Sequence, residues 1–105
     1  MNELEKFPLK IKMTSVLANQ ELDGNEKIVL LALFMDHKRK YSKKITRISE
    51  DKFEKDTAID WELLLQVVEG LQQKELIVIE GTGVNRYYRL NYELLEKEGL
   101  IQMKR

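Results

Sequence analysis

The sequence predicts an α+β fold that is mainly α, and three observations predict it. A capping-type start at Asp23-Gly24-Asn25-Glu26 feeds an unbroken apolar run from Ile28 to Met35. A short β-branched segment at Ile45 is followed by two capped helical patterns with a brief turn between them. Two β-prone segments, Leu76 to Ile79 and Arg86 to Leu90, then flank Glu80-Gly81-Thr82-Gly83-Val84-Asn85, a hairpin tip with glycine where positive φ is needed.

Each element has its own local reason. Leu9, Ile11 and Met13 alternate with Lys10 and Lys12, the pattern of a short extended segment with one buried face. Thr14 or Ser15 is expected to cap a helical turn holding Val16 and Leu17. Asp23 and Glu26, three residues apart, can each satisfy a free backbone N–H, and the helix they open should run from Gly24 or Asn25 to about His37. The run from Ile28 to Met35 makes that helix apolar all round, so it must be surrounded, in part by a second subunit of a homodimer. Lys38 to Lys44 is a charged connection, and Ile45-Thr46-Arg47-Ile48 an alternating strand. Ser49 with Glu50 and Asp51 behind it starts a short helix to Asp56, with Phe53 inward. Thr57-Ala58-Ile59 turns the chain, Asp60 caps the next helix, and Leu64, Val67, Val68 and Leu71 form its buried stripe. From Tyr92 the chain turns helical again, and the final ten residues are open between helix, dimer arm and tail.

Strand, short helix, turn, longer helix and hairpin, with a helix before them, is the order of a winged helix-turn-helix. The expected architecture is a three-helix core with a β-hairpin wing and an additional C-terminal helix. Residues 1–21 would be an N-terminal extension, 22–91 the winged-helix core and 92–105 a C-terminal helix or arm. At 105 residues the chain is one domain with no room for a second core.

Composition narrows the chemistry. With no cysteine and one histidine, thiolate metal sites and disulfides are excluded, and no spacing of ligands or of nucleophile and base suggests catalysis. The expectation is a protein that is not an enzyme, with no cofactor, metal or small-molecule substrate. The longest apolar run is far below the ~20 residues of a membrane span, and the acidic start is unlike a signal peptide, so a soluble cytoplasmic protein is expected. Gly81-Thr82-Gly83 is no phosphate loop, because no Gly-Lys-Ser/Thr follows. His37 ends a helix beside cations and reads as surface, and Glu50 with Glu54 as a solvated helix face. Of the tyrosines, Tyr87 and Tyr88 face opposite sides of one strand, so one of them is core.

Lys plus Arg and Asp plus Glu are equal at 18 each, but they are unevenly placed. Lys38, Arg39, Lys40, Lys43, Lys44 and Arg47 form a cationic stretch, able to neutralise phosphates or simply to be a solvated loop. Acids dominate from Glu50 to Glu75.

The opening Phe7-Pro8-Leu9-Lys10-Ile11, the Leu22-Asp23-Gly24-Asn25-Glu26-Lys27 start, and Phe53 to Ile77 ending in Leu-Gln-Gln-Lys-Glu-Leu-Ile-Val-Ile carry a resemblance. Together they resemble plasmid and phage replication-initiation proteins and related bacterial primosome-loading proteins. That resemblance covers most of the chain as patterning and implies a winged helix that binds double-stranded DNA. Two positions depart from it. Family members carry Gly before the Leu-Ile that opens the wing, where this chain has Glu75, which implies a different helix exit and a reoriented wing. The groove-facing positions match Trp61, Glu62, Leu65, Gln66 and Glu69, of which Gln66 alone suits a base edge.

Two functions follow. In the first, the protein binds DNA in replication or its transcriptional control, with Lys38, Arg39, Lys40, Lys43, Lys44 and Arg47 on the backbone, Arg86 at the wing and Gln66 on the recognition helix. In the second, Trp61, Glu62 and Leu65 form a protein interface for a replication-protein partner or a second subunit, unless the helix is rotated and Trp61 and Leu65 are core.

Overall fold

A computed structural model describes residues 9–40, 45, 46 and 48–103. The elements, in order, are β1 (Leu9–Ile11), α1 (Met13–Ala18), α2 (Gly24–Lys40), β2 (Ile45–Thr46), α3 (Glu50–Thr57), α4 (Trp61–Gln73), β3 (Ile77–Glu80), β4 (Tyr87–Leu90), α5 (Tyr92–Lys97) and β5 (Ile101–Met103). The fold is α+β and mainly helical, with two small antiparallel sheets. One sheet has the order β2-β4-β3, and the other pairs β1 with β5. Among the described residues no helix is long and apolar enough to cross a membrane.

Helix α2 begins with the reciprocal cap its sequence encodes. Asp23 N–H donates to Glu26 Oε1 at 3.0 Å, and Glu26 N–H donates to Asp23 Oδ1 at 2.8 Å. The helix runs one turn past His37, to Lys40. Lysine and arginine are good helix formers, and their charge suits the negative end of the dipole. Leu30, Leu33, Phe34 and His37 fall on one face of α2 and are all buried, so His37 is interior and not surface. Its Nε2 and the Tyr92 hydroxyl share a short hydrogen bond of 2.5 Å, and the rings meet edge to face. Asp36 is also buried and accepts a hydrogen bond from the Thr46 hydroxyl, which ties α2 to β2.

Helix α1 starts at Met13, with Lys12 at its N-cap and no side-chain cap, so neither Thr14 nor Ser15 has the capping role. Ser49 caps α3 and Asp60 caps α4, as their sequences require. Glu54, read as part of a solvated face, accepts the Trp61 N–H at 2.6 Å and so adds a second acceptor at the α4 start. The stripe Leu64, Val67, Val68 and Leu71 packs into the core with Phe34, Phe53 and Tyr88.

Helix α4 ends in a Schellman turn. Leu76 N–H donates to the Leu71 carbonyl and Glu75 N–H to the Gln72 carbonyl, with Glu75 at φ 66°. Glutamate itself holds the left-handed conformation in this turn. Beyond it, β3 and β4 pair with Ile77 opposite Leu90 and Glu80 opposite Tyr87. Gly81 (φ 75°) is required at the tip, because a Cβ there would come within 2.2 Å of the Asn85 carbonyl oxygen. Of the last ten residues, Glu96 and Lys97 end α5 and Ile101–Met103 form a strand. After α5, Gly99 turns the chain into β5, whose Ile101 pairs with Ile11 of β1 and is buried.

Candidate nucleic-acid interface

Of the predicted phosphate-contacting residues, Lys43, Lys44 and Arg47 lie outside the described residues. Lys38, Arg39 and Lys40 are described only as the last turn of the α2 backbone. That turn precedes β2, which pairs with β4 of the hairpin (Ile45 opposite Arg89).

Helix α4 has its buried stripe against α2 and leaves Glu62, Leu63, Gln66, Glu69 and Gln73 exposed. No Lys or Arg occurs along the helix. Gln66, the predicted base reader, is thus exposed between two carboxylates. Lys74, the first cation beyond the helix, is held by Glu26, with its Nζ 2.8 Å from Oε2. Trp61 and Leu65, predicted as anchors, are both half-buried, and Trp61 packs against the core. Leu63, at 39% exposure, is the more exposed apolar residue on α4. Its exposure was missed because the turn before α4 sets the helix's rotation, and periodicity alone does not fix which edge of the stripe faces solvent.

Arg86 follows the hairpin tip, with its guanidinium 5.9 Å from the centre of the Trp61 ring, near the outer limit of a cation–π contact. Nothing in the spacing of residues 61 and 86 foretells this pairing, which depends on the hairpin folding back over α4. Together with Ser49, Glu50 and Asp51 they line a cleft of about 360 Å³ between the hairpin and the start of α3. Tyr88, on the strand after Arg86, is fully buried. Burial pushes its pKa up; Arg86 opposes that shift and Glu50 adds to it. Arg89, the other described hairpin cation, is paired with Glu80 at 2.9 Å.

The cleft mixes one cation with two carboxylates, so by itself it does not attract a phosphate. Among the described residues no group of His, Asp and Glu is placed to hold a metal ion. Comparison of the chain with protein-family models, with curated proteins and with solved structures gives no match.

Proposed function

We propose that this chain is a winged-helix protein that binds double-stranded DNA in replication or its transcriptional control, of the plasmid or phage type its sequence resembles. The observation that carries the reading is the order α2-β2-α3-α4-β3-β4 with the strands arranged β2-β4-β3. In that arrangement α3 and α4 form the helix-turn-helix and the β3–β4 hairpin the wing. Backbone contacts come from Lys38, Arg39, Lys40, Lys43, Lys44 and Arg47, with Arg86 added from the wing. An α4 face bearing Glu62 and Glu69 repels phosphates, so affinity rests on charge and carries little sequence information beyond Gln66.

The test is fluorescence anisotropy of a labelled mixed-sequence duplex titrated across salt. Each phosphate neutralised contributes a slope of ~0.9 in log affinity against log salt, so several contacts give a steep loss. The paired change Lys43→Glu with Lys44→Glu should abolish binding while the circular dichroism spectrum is unchanged.

A second reading is favoured by the exposed, cation-free face of α4: a winged helix that docks a protein through Glu62, Leu65 and Trp61. Absence of duplex binding at low salt would select it. Trp61→Ala would then release the partner, with the fold retained.

A further inference from the structure

The cleft between the hairpin and the start of α3 holds hydrogen-bonding capacity that the fold does not spend. Elsewhere Lys52 pairs with Asp56, Lys74 with Glu26 and Arg89 with Glu80. In the cleft, half-buried Arg86 comes from the hairpin and exposed Glu50 and Asp51 from α3, and among the described residues they form no ion pair. A cation and two carboxylates thus line one cavity without meeting, with donors on one side and acceptors on the other. Arg86 and Glu50 both act on the buried Tyr88 hydroxyl, so they converge on one place. Trp61 adds a flat aromatic surface, with the Arg86 guanidinium only at the outer limit of contact with its ring.

We propose that this cleft binds an unpaired guanine base. The base stacks on Trp61, donates from N1–H and the N2 amino group to Glu50 or Asp51, and accepts from Arg86 at O6 and N7. The inference stands apart from duplex binding, since in a duplex the N1 and N2 donors are taken by cytosine. At about 360 Å³ the cleft is near the small end of the ~300–1,000 Å³ range of small-molecule sites, which suits one base with part of its sugar. Stacking does not discriminate, because every base has a π face, so the edges decide. Guanine is the common base with two adjacent donor groups on its pairing edge. Adenine and cytosine set a ring acceptor beside the amino group, and thymine flanks a single N–H with carbonyls. A carboxylate is repelled by each of those acceptors. Guanine also presents O6 and N7 together, the acceptor pair that a guanidinium fork meets. A phosphate would satisfy Arg86 alone and be repelled by Glu50 and Asp51, while an ammonium group would be repelled by Arg86.

Trp61 is the only tryptophan of the chain, so its indole N–H signal in a nitrogen–proton correlation spectrum reports the cleft directly. The full chain is titrated with guanosine, inosine and adenosine. Guanosine should shift the indole signal to saturation. Inosine, which lacks the N2 amino group, should bind about tenfold more weakly, and adenosine more weakly still. In the double variant Glu50→Ala with Asp51→Ala, both exposed positions, the preference for guanosine over inosine should be lost while the circular dichroism spectrum is unchanged. Arg86→Gln should weaken both nucleosides alike, since both carry O6 and N7. The source of the base is read separately. Tighter binding of a single-stranded oligothymidine with one central guanine than of guanosine monophosphate assigns the site to a strand, and the reverse order to a free nucleotide. Absence of a saturable shift with every guanine compound would overturn the proposal. So would equal affinity for guanosine and adenosine, or a guanosine preference that survives the loss of both carboxylates.

Discussion

Ala58 and Glu75 hold left-handed backbone, at φ 60° and 66°, in positions that end α3 and α4. An L side chain in that region costs roughly 1–2 kcal/mol, which glycine avoids at some expense in unfolded-state entropy. Gly99 shows the alternative within the same chain, since the turn after α5 repeats the bonds of the turn after α4, Leu100 N–H to the Leu95 carbonyl and Gly99 N–H to Glu96. Ala58→Gly and Glu75→Gly should therefore each raise the unfolding free energy by about 0.5–1 kcal/mol in urea titrations, and Gly99→Ala should lower it by about as much. At Glu75 the sequence lacks the glycine that a left-handed turn favours, so this conformation is not legible from the residue itself. It is accompanied by two backbone bonds, from Glu75 N–H to the Gln72 carbonyl and from Leu76 N–H to the Leu71 carbonyl, that only the folded turn brings together. Tyr92 makes a second prediction at this scale. Burial pushes its pKa to about 12, from 10.0. The unfolded chain then loses the phenolic proton first, so this residue's contribution is complete below pH 10 and is lost as pH rises toward about 12. Thermal unfolding followed across that range should show a stability loss that Tyr92→Phe makes shallower.

At the scale of elements, Glu26 joins two helices that the sequence presents as separate. Its carboxylate completes the cap of α2 and also takes both hydrogen bonds from Lys74 Nζ, at 2.9 and 2.8 Å, beyond the end of α4. Gly70 makes the approach possible, since a Cβ there would stand 2.9 Å from Glu26 Oε2. The side chain of Glu26 is 7% exposed and that of Lys74 38%, so solvent screens the pair from one side. Lys74→Met should cost about 1–2 kcal/mol, less than a fully buried pair, read as a lower midpoint in urea with an unchanged slope. The capping half of this arrangement was legible because it spans three residues. The other half spans forty-eight and depends on how α2 crosses α4, which no local pattern encodes. The same distinction applies to the candidate interface. The acidic face of α4 could be read from its periodicity, whereas the Arg86–Trp61 contact required the folded hairpin.

For the whole molecule, the consequential surprise is the sheet between β1 and β5. Alternation marked Leu9 and Ile11 as extended, and Leu100 to Met103 as apolar, but nothing local pairs segments that far apart. Leu100 and Ile101 are both core residues, 1% and 2% exposed. Removing residues 100–105 should lower stability by about 3–6 kcal/mol, at roughly 1.5–3 for each buried side chain, and drop the melting temperature well beyond any single substitution above. The pairing has a mechanical side as well. Leu9 stands opposite Met103, so the first and last described residues lie at the same end of this ladder. Tension applied through them loads the Leu9–Met103 rung first and then each next one, peeling the strands apart instead of shearing them together. A closure that resists heat through Ile101 would yield early to a pull.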